Sequence, residues 1–276
     1  MLTAAISGPI FIPPRAHDIL ETIRFLNNGK GVFIIIKNFE ADIKEFSETI
    51  HQAREEGILV KYTISHDDIS VEKSNFQIRH RGVAGTILLH KILGQAAKNG
   101  ASLDELEKIA FSLSTSIATL GVATKFATLL KDEEPIFDLP SQYISYGIGI
   151  HGEPGYRMRS FESSEVLAVE LINKIKMKFK WTEGQEFILL INNLGGASKL
   201  EELVLADDIL QLLDIERLNI SFIKTGHLIT SLDMSGLSVT LCRFLDKSWI
   251  TALKSQQMYL LGKQLHFTFL NTRKEY

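Results

Sequence analysis

The sequence has few of the features that mark secreted or membrane proteins. It contains one cysteine, Cys242, in 276 residues, so an internal disulfide framework is excluded and a reducing compartment is favoured. No apolar run approaches the roughly 20 residues that a membrane-spanning helix needs. The N-terminal segment has neither a basic region nor the small-residue cleavage site of a signal peptide. We therefore expect a cytoplasmic protein that does not enter the membrane, with Cys242 as a core residue.

An excess of charge of one sign is also missing. The chain has 30 Lys and Arg against 33 Asp and Glu, for a formal net charge of −3. It therefore has no general attraction to nucleic acid or to anionic lipid. It has no cysteine pair and no His-x-x-x-His spacing, which argues against a metal site. Without a P-loop or a Gly-x-Gly-x-x-Gly motif, the sequence predicts no cofactor or nucleotide bound by this chain.

Strand-length apolar runs alternate with segments of helical periodicity, and this alternation predicts an α/β fold. The box Ser102–Glu105 predicts a helix start, and an apolar stripe then continues through Leu106, Leu113 and Leu120. We expect the stripe to pack in the core. The predicted strands are 31–37, 58–64, 146–150, 186–191, 219–223 and 237–244, and the predicted helices are 42–55, 82–98, 163–178 and 198–213.

The length allows two domains at about 150 residues each. The clearest loop is 131–141, which contains Asp-Glu-Glu-Pro and a second proline. We therefore predict an N-terminal α/β domain over 1–125 and a C-terminal α/β domain over 126–276. The chain opens on small and apolar residues, as the interior of a domain does. We expect the first domain to be truncated at its N-terminus.

The segment 147–155 is the strongest candidate for a functional site. Glycines alternate along a predicted strand that ends in His151, and Gly-Glu-Pro-Gly follows. Glycines allow close approach and positive φ, and Pro154 stiffens the turn. A neutral imidazole can add to a carbonyl carbon or act as a general base. The alternative is a structural histidine, which is the role that we assign to His17, His51, His90 and His266.

Other polar turns follow predicted strands, where ligands of α/β proteins bind. The turn from Lys37 to Asp42 offers a cation, an amide and two carboxylates. It is suited to a general base and to donors for a hydroxylated ligand, but a solvated lysine before a helix is equally consistent. The turn 230–236 is dense in hydroxyl groups, and a turn with self-satisfied side chains is the simpler explanation for it. The turn 192–196 resembles a phosphate-binding glycine turn, but without Lys-Ser/Thr it is a weak signal for a nucleotide.

Together these residues resemble the dihydroxyacetone-binding K subunit of the phosphotransferase-type dihydroxyacetone kinases. The segment 149–155 matches the substrate-histidine motif of that family residue for residue. Lys37-Asn38 with Asp42 resembles its Lys-Asn-Tyr-x-Gly-Asp turn. Segments 81–86, 192–195 and 230–236 also match, so the likeness spans most of the chain.

The resemblance implies two α/β domains with mixed sheets, a ligand site between them, and a homodimer. It implies that His151 forms a hemiaminal with the ketone of dihydroxyacetone, beside Gly152. Asp42 would be the base that activates the hydroxyl to be phosphorylated, and Lys37 would help to hold the ligand. The phosphoryl donor of the family is a nucleotide on a separate, ADP-bearing L subunit, which the phosphotransferase system recharges during glycerol metabolism.

This chain departs from the family pattern in several places. An upstream Gly-Gly-Ser-Gly-His-Glu-Pro segment, which supplies a second active-site histidine, has no counterpart. Tyr-x-Gly-Asp has become Phe39-Glu40-Ala41-Asp42, and a Ser-Pro near the pocket appears as Pro13-Pro14. A Cys-Thr-Val-Pro stretch is replaced around 124–130. These changes favour the relative that senses dihydroxyacetone and co-activates a TetR-type regulator of the kinase operon. A working kinase subunit is the alternative, so enzymatic activity stays open.

Overall fold

The computed structural model describes residues 1–70, 80–129 and 139–255. In these ranges the chain forms a mixed α/β fold with two sheets. The elements in chain order are α1 (Ala16–Leu26), β1 (Val32–Lys37), α2 (Glu40–Glu55), β2 (Val60–Ser65), α3 (Thr86–Lys98), α4 (Leu103–Thr115), β3 (Ile117–Lys125), β4 (Tyr143–Tyr146), β5 (Arg157–Ser160), α5 (Ser164–Phe179), β6 (Glu186–Asn193), α6 (Lys199–Ile215), β7 (Asn219–Gly226), β8 (Ser235–Arg243) and α7 (Lys247–Lys254).

The smaller sheet is a parallel pair, β1 and β2, whose register runs from Val32 opposite Val60 to Lys37 opposite Ser65. Helix α2 makes the crossover, as parallel strands require. The side chains of β1 alternate between two apolar clusters: Ile36 packs with α1 and α2, and Ile35 packs with α3 and α4. This double coverage explains why β1 is a continuous apolar run.

The larger sheet has six strands in the order β5-β4-β3-β8-β6-β7. Only β6 and β7 pair in parallel, so the sheet is mixed. Along β6, Leu189 packs towards α5 and α6, whereas Leu190 packs towards α3, α4 and α7, as the two-residue period of a strand dictates. Cys242 is buried in the second cluster, which confirms its predicted place in the core.

The stripe predicted as one helix through Leu120 is wrong in its second half. Helix α4 ends at Thr115, with Ser116 as its C-cap. The residues that follow form β3, which pairs with β8 from Ile117 opposite Cys242 onward. The apolar positions after Thr115 fit the 3.6-residue period of a helix and also a continuous buried strand. The strand forms because β3 is buried between two packed layers. The core packing that we expected of the stripe is confirmed.

The remaining differences lie at element ends. Helix α1 was not predicted. The strand predicted at 146–150 lies at Tyr143–Tyr146, because the positive φ of Gly147, +79°, ends it. Most of the predicted loop, 131–138, lies outside the described residues. The division at residue 125 falls at the end of β3, which lies inside the six-stranded sheet, and the two-domain division is still a prediction.

The two sheets meet where the chain leaves β2. Asp68 forms an isolated parallel bridge with Thr119 of β3, and the Ile69 amide donates to the Thr119 carbonyl at 3.0 Å. The carboxyl ends of β1 and β2 therefore face the loop that follows β4. In the part of the chain that the structure describes, no helix has both the length and the apolar character needed to cross a bilayer.

Candidate functional site

The loop 147–155 folds back on itself after β4. The Gly149 amide donates to the Glu153 carbonyl at 3.1 Å, and the Gly152 amide donates to the Gly149 carbonyl at 3.3 Å. Gly152 has a φ of +87°, which favours glycine. The Ser231 hydroxyl donates to the Ile150 carbonyl and ties the loop to the turn before β8. These bonds hold His151 at the tip of a closed turn.

One carboxylate holds both the ring and the backbone of His151. Glu153 Oε1 lies 3.1 Å from Nδ1 of the ring, and Oε2 accepts from the His151 amide at 3.0 Å. Burial alone would raise the pKa of Glu153, but the His151 hydrogen bond and the Arg81 charge outweigh it and lower that pKa. An ionised carboxylate can only accept at Nδ1, and in the tautomer that donates this proton the lone pair of the ring lies on Nε2.

Arg81 supports the contact between Glu153 and His151 through several hydrogen bonds. Its Nη1 lies 3.9 Å from Glu153 Oε2, its Nε donates to Asp68 at 2.7 Å, and its Nη2 donates to the Gly147 carbonyl and to Ser70, each at 2.8 Å. Arg81 and Asp68 are both buried. The guanidinium therefore joins the end of β2 to the histidine loop. The sequence placed Arg81 in a matching segment but not in the site.

Two phenyl rings contact the imidazole of His151. The Phe39 ring centroid lies 4.4 Å from the imidazole centroid at an interplanar angle of 66°. The Phe11 centroid lies 5.1 Å away at 71°. About 30% of the His151 side chain stays exposed. The sequence analysis noted Phe39 only as a departure from the family turn, and it missed Phe11, whose neighbours give no signal beyond prolines.

Lys37 and Asp42, the two candidates from the turn after β1, interact with each other, and Asp42 also interacts with His151. Burial lowers the pKa of Lys37, against the opposing charges of Asp67 and Asp42. Burial raises the pKa of Asp42, against the charges of His151 and Lys37. The Asp42 carboxylate is therefore within electrostatic range of both Lys37 and His151. The end of β1, the first turn of α2 and the loop after β4 therefore supply one cluster.

The other two predicted turns act as supports. The Asn192 side chain donates to the Ile229 carbonyl at 2.7 Å and accepts from the amides of Leu228 and Ile229. The Ser231 amide donates to the Leu194 carbonyl at 2.6 Å. These bonds hold the segment whose Ser231 hydroxyl anchors the histidine loop. The Asn192 and Ser231 side chains thus bond to other segments of the chain, and the self-satisfied turn that we favoured at 230–236 is wrong for Ser231.

Asp233, in the same turn, is engaged away from His151. Its carboxylate accepts from the Thr128 amide at 2.6 Å and from Lys125 Nζ at 3.0 Å. The Thr128 amide is the main cause that lowers the Asp233 pKa to about 2. Asp233 thus fastens the end of β3 to the start of β8. Over the described ranges, no group of three or more His, Cys, Asp and Glu side chains could hold a metal ion.

Gly149 is the position where a small substitution should disturb His151 without disturbing the fold. A Cβ there would lie 2.0 Å from Glu153 Oε2 and 2.5 Å from Arg81 Nη1, both ends of side chains. We expect Gly149→Ala to displace the Glu153 carboxylate. If His151 binds the dihydroxyacetone that the resemblance implies, that binding should weaken about tenfold or more, the value of one charge-assisted hydrogen bond. Calorimetric titration with dihydroxyacetone measures this. A Gly149→Ala protein that binds like the parent, beside a weakened Glu153→Ala, would contradict the expectation.

The comparison with known proteins agrees with this geometry. The sequence model of the Dak1 domain matches residues 1–259. The chain belongs to the Dak1 domain family. Its resemblance to the dihydroxyacetone-binding subunits, drawn from the histidine motif, is thereby confirmed.

Two relatives of this Dak1 chain come from Lactococcus lactis. The chain is 53% identical over 255 residues to the DhaKLM operon coactivator DhaQ, covering 92% of this chain and 77% of that protein. It is 42% identical over 253 residues to the dihydroxyacetone-binding subunit DhaK of the PTS-dependent dihydroxyacetone kinase, covering 92% and 76%. A solved structure of the dihydroxyacetone kinase operon co-activator Dha-DhaQ superimposes with a TM-score of 0.89 at 52% identity, covering 92% and 79%. The predicted α/β class is confirmed.

Proposed function

We propose that this Dak1 chain senses dihydroxyacetone and co-activates a regulator of a dihydroxyacetone kinase operon. The observation that carries the proposal is the imidazole of His151, held through Nδ1 by Glu153 and exposed in part at the tip of its loop. The higher identity to the co-activator than to the kinase subunit, 53% against 42%, favours the sensor. In this proposal the protein is cytoplasmic and dimeric, and its ligand lies between two domains.

The ligand bond is a reversible addition to a ketone. The Nε2 lone pair of His151 forms a bond to the carbonyl carbon, and the π pair of the carbonyl moves to its oxygen. The ring gives its Nδ1 proton to Glu153, which releases it to solvent, and the alkoxide oxygen takes up one proton from solvent, so ketone and imidazole combine without net loss of an atom. A glycerol-like polyol has no carbonyl carbon and cannot form this bond.

Lys37 and Asp42 complete the ligand site in this proposal. The ammonium of Lys37 would hold a ligand oxygen, and the amides beside Gly152 line the turn below the adduct. Asp42, whose pKa burial raises, can exchange a proton with a hydroxyl of the ligand. In a sensor these groups would select a hydroxy-ketone over a plain ketone.

The adduct can be tested directly with dihydroxyacetone labelled with ¹³C at its carbonyl carbon. We expect the bound carbon to leave the ketone region of the spectrum for that of an sp³ carbon, and the intact protein to gain one ligand mass. His151→Ala should abolish both signals. The control is His51→Ala, whose side chain is 74% exposed on α2. An unchanged parent spectrum, or a signal that survives His151→Ala, would refute covalent binding.

The sensor role needs a second test, because binding alone does not show regulation. The full chain is mixed with a purified TetR-type regulator and operator DNA, with and without dihydroxyacetone. We expect complex formation to depend on the ketone in the parent and to lose that dependence in His151→Ala. A complex that ignores the ketone would end the sensor proposal.

A kinase K subunit is the second candidate, because Asp42 remains close to His151 and to Lys37. It predicts that dihydroxyacetone phosphate forms once an ADP-bearing L subunit and the phosphotransferase components are added. Asp42→Asn should then abolish turnover while His151 still forms the adduct. If no dihydroxyacetone phosphate forms under these conditions, the kinase candidate is rejected and the sensor proposal remains.

A further inference from the structure

The aromatic rings beside His151 have no part in the proposed bond, yet they enclose the group that makes it. Phe39 and Phe11 contact the imidazole at centroid distances of 4.4 and 5.1 Å. Glu153 occupies its Nδ1 edge. A ketone therefore has to reach Nε2 through the third of the side chain that stays exposed, and the groups next to its carbonyl have to fit against what surrounds that opening.

The segment that carries Phe11 is stiff. The Ile12 amide donates to the Pro9 carbonyl at 3.1 Å, which closes a four-residue turn. Phe11 has a φ of +58°, a left-handed conformation that is unfavourable for an L-residue with a side chain. A Cβ on Gly8 would lie 2.3 Å from the Ile12 carbonyl oxygen, so the turn is packed against its own start. The ring of Phe11 is thus held in place by its backbone.

Phe39 is fixed just as firmly. It is the N-cap residue of α2, its amide donates to the Lys37 carbonyl at 2.9 Å, and its carbonyl accepts from the Ile43 amide at 2.9 Å. Both phenyl rings also pack on one apolar cluster, which includes Phe126 and Ile150. A wall made of two rings with anchored backbones and an apolar backing cannot expand readily for a longer ligand.

We propose that Phe11 and Phe39 are specificity-determining residues that set the upper size of the ketone accepted by His151. The inference rests on the proposed function, since it concerns the same bond. The two rings leave room for the short substituents of a three-carbon ketone and exclude the longer chain of a four- or five-carbon ketose. Removal of one ring opens that side of the imidazole.

The variants Phe11→Gly and Phe39→Leu test this proposal. Glycine adopts a φ of +58° without strain, so Phe11→Gly removes the ring and relieves the turn together. Phe39→Leu keeps an apolar side chain of smaller volume at the start of α2. Phe25→Ala is the matched control, because that ring is 87% exposed on α1. Circular dichroism confirms that each full-length variant is folded.

Each protein is titrated with dihydroxyacetone, with the four-carbon ketose erythrulose, and with a five-carbon ketose, and adducts are read from the ¹³C signal of the labelled carbonyl carbon. We expect the affinity for the four-carbon relative to the three-carbon ketone to rise about tenfold in Phe11→Gly or Phe39→Leu, the discrimination that one carbon carries in a tight apolar site. Phe25→Ala should match the parent.

The outcomes separate the two proposals. If the parent forms the adduct and neither variant changes the ratio of affinities, the inference is overturned and the proposed function stands. If the parent forms no adduct with any of the three ketones, the proposed function falls and the inference falls with it. If one variant fails to fold, the ratio measured for the other decides.

Discussion

Replacement of Arg81 by methionine should destabilise the protein more than any surface change near the site. Asp68 is 2% exposed, and Arg81 Nε donates to it at 2.7 Å. Methionine fills much of the same volume but leaves the buried carboxylate without its counter-charge. Breaking such a pair by removing one partner costs about 3–5 kcal/mol. We expect the free energy of unfolding in urea to fall by that amount at neutral pH.

The loss of stability in Arg81→Met should depend on pH in a direction that the pKa of Asp68 sets. Burial raises the pKa of Asp68 above 3.8, and the charge of Arg81 opposes the rise. Without Arg81 the folded-state pKa rises further, so the native state holds its proton to higher pH than the unfolded chain does. The destabilisation is therefore greatest above the raised pKa of the variant. It shrinks as the pH falls from there to the folded-state pKa of the parent, which already lies above 3.8, because below that pH both folded proteins hold the proton.

Arg157→Met is the matched control for this experiment. Arg157 is 47% exposed and pairs with Glu170 at 3.3 Å on the surface of α5. Exposed pairs of this kind contribute about 1 kcal/mol or less. Equal losses in Arg81→Met and Arg157→Met would show that the buried contacts of Arg81 do not stabilise the histidine loop.

Gly155→Ala should also lower the stability strongly, for a steric reason. A Cβ at this position would lie 2.0 Å from the carbonyl oxygen of Tyr146, the last residue of β4. The contact is with backbone, so no side chain can rotate to relieve it. Overpacking in a fixed site costs typically about 1–3 kcal/mol and sometimes more. Thermal and urea unfolding should both report the loss.

Gly149→Ala is the matched comparison for Gly155→Ala, because it adds the same methyl group to the same loop. The nearest atoms that the added methyl group meets at that position are the ends of the Glu153 and Arg81 side chains. We expect Gly149→Ala to reduce ligand affinity with a smaller loss of stability, and Gly155→Ala to unfold the chain more readily. Two alanine variants of equal stability would contradict the assignment of rigid backbone contact at Gly155.

Much of the fold follows from local patterns. The box Ser102–Glu105 begins α4 as predicted, with both of its reciprocal hydrogen bonds. The apolar run of β1 and the strand β6 also lie within a few residues of their predicted positions. These features succeed because a cap or a fully buried strand is decided by neighbouring residues. The helix prediction for the apolar stripe past Thr115 was wrong because the apolar pattern there fits both a helix and a strand. The pairing of this segment with β8 selects the strand.

The residues of the candidate site also divide into those that local sequence predicts and those that it does not. His151 could be found because glycine and proline frame it locally. Arg81 could not, because its bond to the Gly147 carbonyl joins residues 66 positions apart. Phe11 lies still farther from His151 in the chain, and its contact depends on how the first turn meets the loop after β4. No spacing rule connects such residues, so only the folded structure brings them together.

The site draws its groups from four distant segments: the end of β1, the residue Arg81, the loop of His151 and the turn of Ser231. An unfolded chain cannot present these groups together, so in the proposed function the ketone, which needs them all, binds the native state alone. By mass action, a bound ketone then stabilises the native state against unfolding. It is worth about 2.7 kcal/mol when the free ketone stands at a hundred times its dissociation constant. A cell rich in the ketone would therefore hold more of this protein intact than a cell without it, apart from any effect on its partners.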